Sequence, residues 1–185
     1  MRVFIISLTI LISASLTPIA TADPYLGVGV GNAYYEADLS ALGGGDFKDN
    51  GTATKLYGGY SFNKYFAAEA TLYNFADVSV GALEVSPGNY VSAEVDMTGI
   101  GAYAVGMYPL SKNVNLMAKL GVLDWDADLT VGSTSGENSG TDAAYSVAAS
   151  YAFTKALLAT FEWEYFNTDN PELTMLSLGF RFVFR

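Results

Sequence analysis

Apolar and polar residues alternate with a period of two along most of this chain. The pattern is cleanest near its end, where "LTMLSLGFRFVFR" sets Leu176, Leu178, Phe180, Phe182 and Phe184 on one face and Ser177, Gly179, Arg181 and Val183 on the other. Extended backbone sends successive side chains to opposite faces, so the pattern predicts a strand. The same period predicts eight in all, at Tyr25–Tyr35, Thr52–Phe62, Tyr65–Phe75, Glu94–Leu110, Val114–Asp126, Thr141–Phe153, Ala156–Phe166 and Leu173–Phe184. Most reach about ten residues, the length a tilted strand needs to cross a bilayer.

The connections alternate in length. Asn63-Lys64, Ser111-Lys112-Asn113 and Thr154-Lys155 are short turns, whereas "ADLSALGGGDFKDNG", "ADVSVGALEVSPGNYVS", "TVGSTSGENSG" and "NTDNPE" are longer polar segments. Short turns at one end and long loops at the other mark an up-and-down membrane barrel. The segments "GYSFNKYFAAEATLY", "MYPLSKNVNLMAKLG" and "SYAFTKALLATFEWE" repeat one hairpin: Tyr, an apolar residue two later, a polar-Lys turn, then a rising strand. Lys64, Lys112 and Lys155 then lie at the periplasmic rim, where a cation is solvated.

Composition narrows this further. Arg2, the apolar run "VFIISLTILISASLTPI" and "ATA" at Ala20–Ala22 form a secretory signal peptide over residues 1–22, with the barrel domain at 23–185. Nine Lys+Arg against 19 Asp+Glu exclude nucleic acid as a partner. The absence of Cys removes disulfides, and the absence of His removes the commonest general base and metal ligand. No cofactor is expected. After the signal peptide no apolar run is long enough for a membrane helix. The predicted class is all-β: an eight-stranded antiparallel up-and-down transmembrane β-barrel.

Parity assigns the charges. With Leu116, Ala118, Leu120 and Val122 toward lipid, Lys119 faces the lumen, where it needs an anion. A lysine on the lipid face near the midplane would cost ~2–4 kcal/mol. Glu69, Asp96, Glu162 and Glu164 are the candidate anions, and Lys55 and Arg181 the further cations, of a lumenal charge network in an interior only wide enough for side chains. Such charges serve mainly to satisfy one another; a gated or leaky ion path is the alternative. Gly27, Gly29 and Gly31, with Ala144, Ser146, Ala148, Ser150 and Ala152, are small inward residues that either leave space or allow close packing.

The same count turns Trp125 inward, unlike a girdle residue, so either a bulge intervenes near "GVLDW" or the strand has already left the hydrocarbon there. It turns Asp124, Asp126 and Asp128 outward, where they form either a solvated acidic rim or a weak candidate site for Ca²⁺ or Mg²⁺.

The segments "GGYSFNKYFAAEATLY", "YPLSKNVNLMAKLGVLDWDAD", "SYAFTKALLATFEWEY" and "LSLGFRFVF" resemble the OmpA-like eight-stranded outer-membrane barrels, in that family's order and over nearly the whole mature chain. The resemblance implies an outer-membrane location, a periplasmic N-terminus, and a terminal aromatic signal, here Phe184 with Phe180 and Phe182, read by the barrel-assembly machinery. Arg185 after Phe184 departs from that signal. The family often carries a peptidoglycan-binding domain after the barrel; the chain ends at Arg185, so none is expected. Of the family's lumenal salt-bridge gate, Glu69 matches one acid, while the other charged positions fall on Ser150, on Thr160 and near Val105. The gate therefore does not carry over whole, and the expected partner of Glu69 is Lys119, Lys55 or Arg181.

These readings favour a non-enzymatic outer-membrane protein, structural or surface-contact, touching lipid, lipopolysaccharide and an unnamed surface ligand through its loops. A minor pore for ions or small solutes is the alternative. A lipid-modifying enzyme is disfavoured without His, and a soluble β-sandwich by the large apolar faces.

Overall fold

The computed structural model describes residues 23–38, 46–86, 89–131, 134–168 and 172–184; the expected signal peptide and Arg185 lie outside them. Eight strands follow in order: β1 (Asp23–Asp38), β2 (Asp46–Ser61), β3 (Phe66–Ser86), β4 (Asn89–Pro109), β5 (Val114–Val131), β6 (Thr134–Ala152), β7 (Leu157–Phe166) and β8 (Glu172–Val183). Each pairs antiparallel with the next, and β1 pairs with β8 to close the barrel. Closure leaves no edge strand, so every ladder group inside a bilayer finds a partner.

The outer face is the apolar one. Leu26, Val28, Val30, Leu120, Val122, Leu178 and Phe180 are all exposed. Aromatic residues rim this band at both ends. Toward the short turns stand the edge-to-face pairs Tyr60–Phe62, Tyr151–Phe153 and Phe182–Phe184, at 5.0–5.7 Å between ring centroids. At the other end Trp163 stacks on Tyr165, and Tyr165 on Tyr145. These are the two interfacial girdles of a membrane barrel.

The three short turns share one device. Asn63 Oδ1 accepts from the amides of Tyr65 and Phe66 at 2.7 and 3.0 Å. Ser111 Oγ accepts from Asn113 and Val114, and Thr154 Oγ1 from Ala156 and Leu157, at 3.0–3.3 Å. In each, the residue before the polar one also donates its amide to the carbonyl four positions on. The polar residue of the repeated hairpin is thus a side-chain cap for the turn.

One expectation is corrected and one open alternative is decided. The segments "ADVSVGALEVSPGNYVS" and "TVGSTSGENSG" are mostly strand: β3 and β4 run to Ser86 and from Asn89, and β5 and β6 to Val131 and from Thr134. Backbone hydrogen bonds extend these ladders beyond the bilayer, where neither face meets lipid and the apolar alternation fades. Second, no bulge lies near Trp125: the β4–β5 and β5–β6 registers run without a shift across it. Trp125 is an inward residue of a strand that extends beyond the hydrocarbon, and its Nε1 donates to Asp142 at 2.7 Å.

Candidate functional site: the charged interior

The inward face of each strand is set by the alternation that puts its apolar partners in lipid. Lys55 on β2, Glu69 on β3, Lys119 on β5, Glu162 and Glu164 on β7 and Arg181 on β8 all point inward, each no more than 4 % exposed. They form one alternating chain across the lumen. Lys55 Nζ lies 2.6 Å from Glu164 and 2.7 Å from Glu162. Lys119 Nζ bridges Glu162 at 2.7 Å and Glu69 at 2.5 Å, and an Arg181 terminal nitrogen reaches Glu69 at 3.4 Å. Three cations and three carboxylates leave this layer neutral, the condition under which charge can stay in a dry interior.

Neutral donors occupy the remaining lone pairs. Tyr25 donates to Glu69, Tyr73 to Glu164 and Ser146 to Glu162, at 2.5–2.9 Å. The hydroxyls of Tyr73 and Tyr103 share a hydrogen bond, and Lys119 Nζ sits 5.4 Å from the centre of the Tyr57 ring. These tyrosines were not among the candidates from sequence. The available signal was their parity: Tyr57 stands two residues from Lys55, and Tyr73 four from Glu69.

Asp96 does not belong to this network. On β4 the inward residues are Met97, Gly99, Gly101, Tyr103 and Val105, and no shift interrupts the β4–β5 ladder, so Asp96 is exposed on the outer face. The family positions Ser150, Thr160 and Val105 are buried inward residues. Asp124, Asp126 and Asp128 are exposed on β5, and Asp124 accepts from Thr141 at 2.6 Å. Alternate residues of one strand stand ~7 Å apart, too far for one ion with bonds of ~2.4 Å to gather all three. Among the described residues no group of three acids could hold a metal ion. Phe180, Phe182 and Phe184 lie exposed on the lipid face.

An apolar layer lies beyond the charges on the loop side. Phe75, Phe166, Leu123, Leu173 and Met175 are at most 1 % exposed, and Phe75 meets Phe166 edge-to-face at 5.6 Å. The inward glycines do not open space beside the charges. Gly27 lies under the Tyr57 ring, where an added Cβ would run into Tyr57 Cζ and Cε2, and Gly59 lies under Tyr25.

Charge is strongly partitioned along the barrel axis. Among the described residues, every acid but Asp23, Glu69, Glu162 and Glu164 falls on a loop-end stretch of strand, and Lys48 is the one base there.

Closed antiparallel topology, a lipid-facing apolar band between aromatic girdles and a polar interior define an outer-membrane β-barrel. A family model described as the outer membrane protein beta-barrel domain matches residues 4–184, and the chain belongs to that family. No curated protein sequence matches it. Among solved structures it is similar to Neisserial surface protein A, with a TM-score of 0.65 at 20% identity over 89% of this chain and 100% of that one. The attachment invasion locus protein Ail of Yersinia pestis, solved with the heparin analogue sucrose octasulfate, gives 0.63 at 18% identity over 89% and 100%. OprG of Pseudomonas aeruginosa gives 0.60 at 14% over 87% and 96%. At such identities the likeness is one of fold.

Proposed function

We propose that this protein is a non-enzymatic outer-membrane barrel that does its work at its loop-end surface and not through its lumen. The observation that carries this reading is the double closure: a neutral, hydrogen-bonded charge chain backed by the apolar layer of Phe75, Phe166, Leu123, Leu173 and Met175. An ion entering from the loop side would shed its water at that layer and then meet charges already paired. Export by a signal peptide over residues 1–22, and reading of Phe180, Phe182 and Phe184 by the assembly machinery, belong to the same proposal. So does contact of the lipid face with outer-membrane lipid and lipopolysaccharide.

The strongly acidic loop end favours a cationic surface partner. A sulfated ligand of the kind bound to Ail would meet repulsion here. The alternative, a minor pore, draws support from the turn-side vestibule, which reaches inward to Met117, Ser150 and Arg181.

Conductance of the refolded mature chain in a planar bilayer, beside Lys119→Ala, separates the two readings. A silent bilayer from protein shown to be folded is the expected result. Discrete steps that change with Lys119→Ala would replace closure with conduction.

A further inference from the structure

The turn end of the barrel opens into a vestibule of about 690 Å³. Its charged lining is Lys64, Lys112, Lys155 and Arg181 against Asp23 alone. In a chain of net charge −10, this gathers four of the nine basic residues round one cavity. Rim lysines alone would mark only a solvated surface. Two deeper groups say more. Ser150 and Arg181 also line the vestibule, are 2 % and 4 % exposed, and leave Ser150 Oγ and Arg181 Nε buried without a hydrogen-bond partner.

Buried polar atoms are nearly always satisfied, and an orphan costs about 1–3 kcal/mol, so each calls for an explanation. Both orphans can donate, and Arg181 is already held by Glu69 through a terminal nitrogen, which leaves Nε fixed. Two buried donors lining one cavity with three lysines are complementary to a small oxyanion.

We propose that this vestibule binds a small oxyanion, the phosphate or carboxylate group of a periplasmic solute. Arg181 Nε and Ser150 Oγ donate to it, and Lys112 and Lys155 supply charge from the rim. Short turns face the periplasm in barrels of this class, so the site is open to periplasmic solutes and closed to the loop side by the layers above it. The site rests on the turn-side cavity alone and stands whether or not the outer surface has a partner.

The test is calorimetric titration of the refolded mature barrel, in zwitterionic detergent at low ionic strength, with inorganic phosphate and separately with acetate. Saturable binding is expected, about tenfold weaker in Ser150→Ala, restored in Ser150→Thr, and weakened in Lys155→Gln and by added salt. Stronger binding of phosphate points to a phosphorylated solute; stronger binding of acetate points to a carboxylate. Absence of saturable binding to either anion overturns the proposal, because water alone then serves both orphan donors. Equal affinities in the parent, Ser150→Ala and Arg181→Lys would do the same. Should Arg181→Lys not refold, the Ser150→Ala and Ser150→Thr pair decides alone.

Discussion

Replacing Lys119 with methionine isolates the energetic role of the charge chain. The ammonium lies 2.5 Å from Glu69 and 2.7 Å from Glu162, and the residue is 4 % exposed. With an effective dielectric constant of ~20, each contact carries roughly 6 kcal/mol of gross attraction, set against several kcal/mol per ion of lost hydration. The net worth of the pair is therefore small beside the cost of breaking it. Methionine fills most of the lysine volume but leaves the interior with three carboxylates and two cations. Glu69 keeps Arg181 and Tyr25, and Glu162 keeps Lys55 and Ser146. This residual support sets the expected destabilisation near 3 kcal/mol, the low end of the ~3–5 kcal/mol for a broken buried pair. Reversible urea unfolding in lipid vesicles, followed by the fluorescence of Trp125 and Trp163, measures it. Adding Glu69→Gln to Lys119→Met restores neutrality and is expected to cost less than the two single changes summed. A loss below about 1 kcal/mol for Lys119→Met alone would refute the reasoning, because it would mean that water reaches Glu69 and Glu162 and screens them.

Gly27→Ala should cost about 1–3 kcal/mol in the same assay, since its methyl must displace the Tyr57 ring; a neutral change would show that the ring has room to move. Val147→Arg, on the lipid face of β6 between the girdle residues Tyr145 and Tyr151, should cost ~2–4 kcal/mol, whereas Tyr151→Arg, within the turn-end girdle, should cost less. Asn63→Ala should cost about 1 kcal/mol and Asn63→Asp little, measured by urea midpoints, since aspartate keeps the accepting oxygen. Oligolysine should bind the refolded barrel with an affinity that falls steeply with salt, read by fluorescence anisotropy of the labelled peptide; salt-independent binding or none would remove the acidic loop end as the attractant.

What was legible in the sequence tracks where lipid imposes contrast. Leu116, Ala118, Leu120 and Val122 fix the parity of β5, and parity alone sends Lys119 inward. The same rule places Glu69, Glu162, Glu164, Lys55 and Arg181. It failed for Asp96, which stands where β4 has left the bilayer and the outward neighbours, such as Thr98, are no longer apolar. Strand ends past Asp126 on β5 and before Thr141 on β6 escaped for the same reason. Pairing was legible only as a short set for Glu69, which meets Lys119 and Arg181 of the three cations expected. Lys55 and Glu162 are 107 residues apart, and whether they meet depends on the stagger of the barrel, a property of all eight strands together. Tyrosine hides in a different way. Tyr57 and Tyr60 lie three residues apart, yet one is 1 % exposed under Lys119 and the other 45 % exposed in a girdle. Residue type cannot separate them, whereas odd and even position can.

The partition of charge along the axis joins these observations into one account of orientation. The hydrocarbon segment holds its six ionic groups as a neutral set, so crossing the bilayer strands no net charge. The loop end is acidic throughout except for Lys48, and the turn end carries Lys64, Lys112 and Lys155. An assembling barrel must pass its loop end across the membrane while its turns stay behind. The loop-end acids, once hydrated on the far side, would face a large desolvation cost on return, and the turn lysines would face the same on following. Both ends therefore resist reversal, and the neutral middle adds no opposing force. Orientation is held by hydration at the ends, which leaves the lumenal charges free to serve packing. That is why Lys119 can be met by Glu69, Glu162 and the Tyr57 ring, as part of a packed interior.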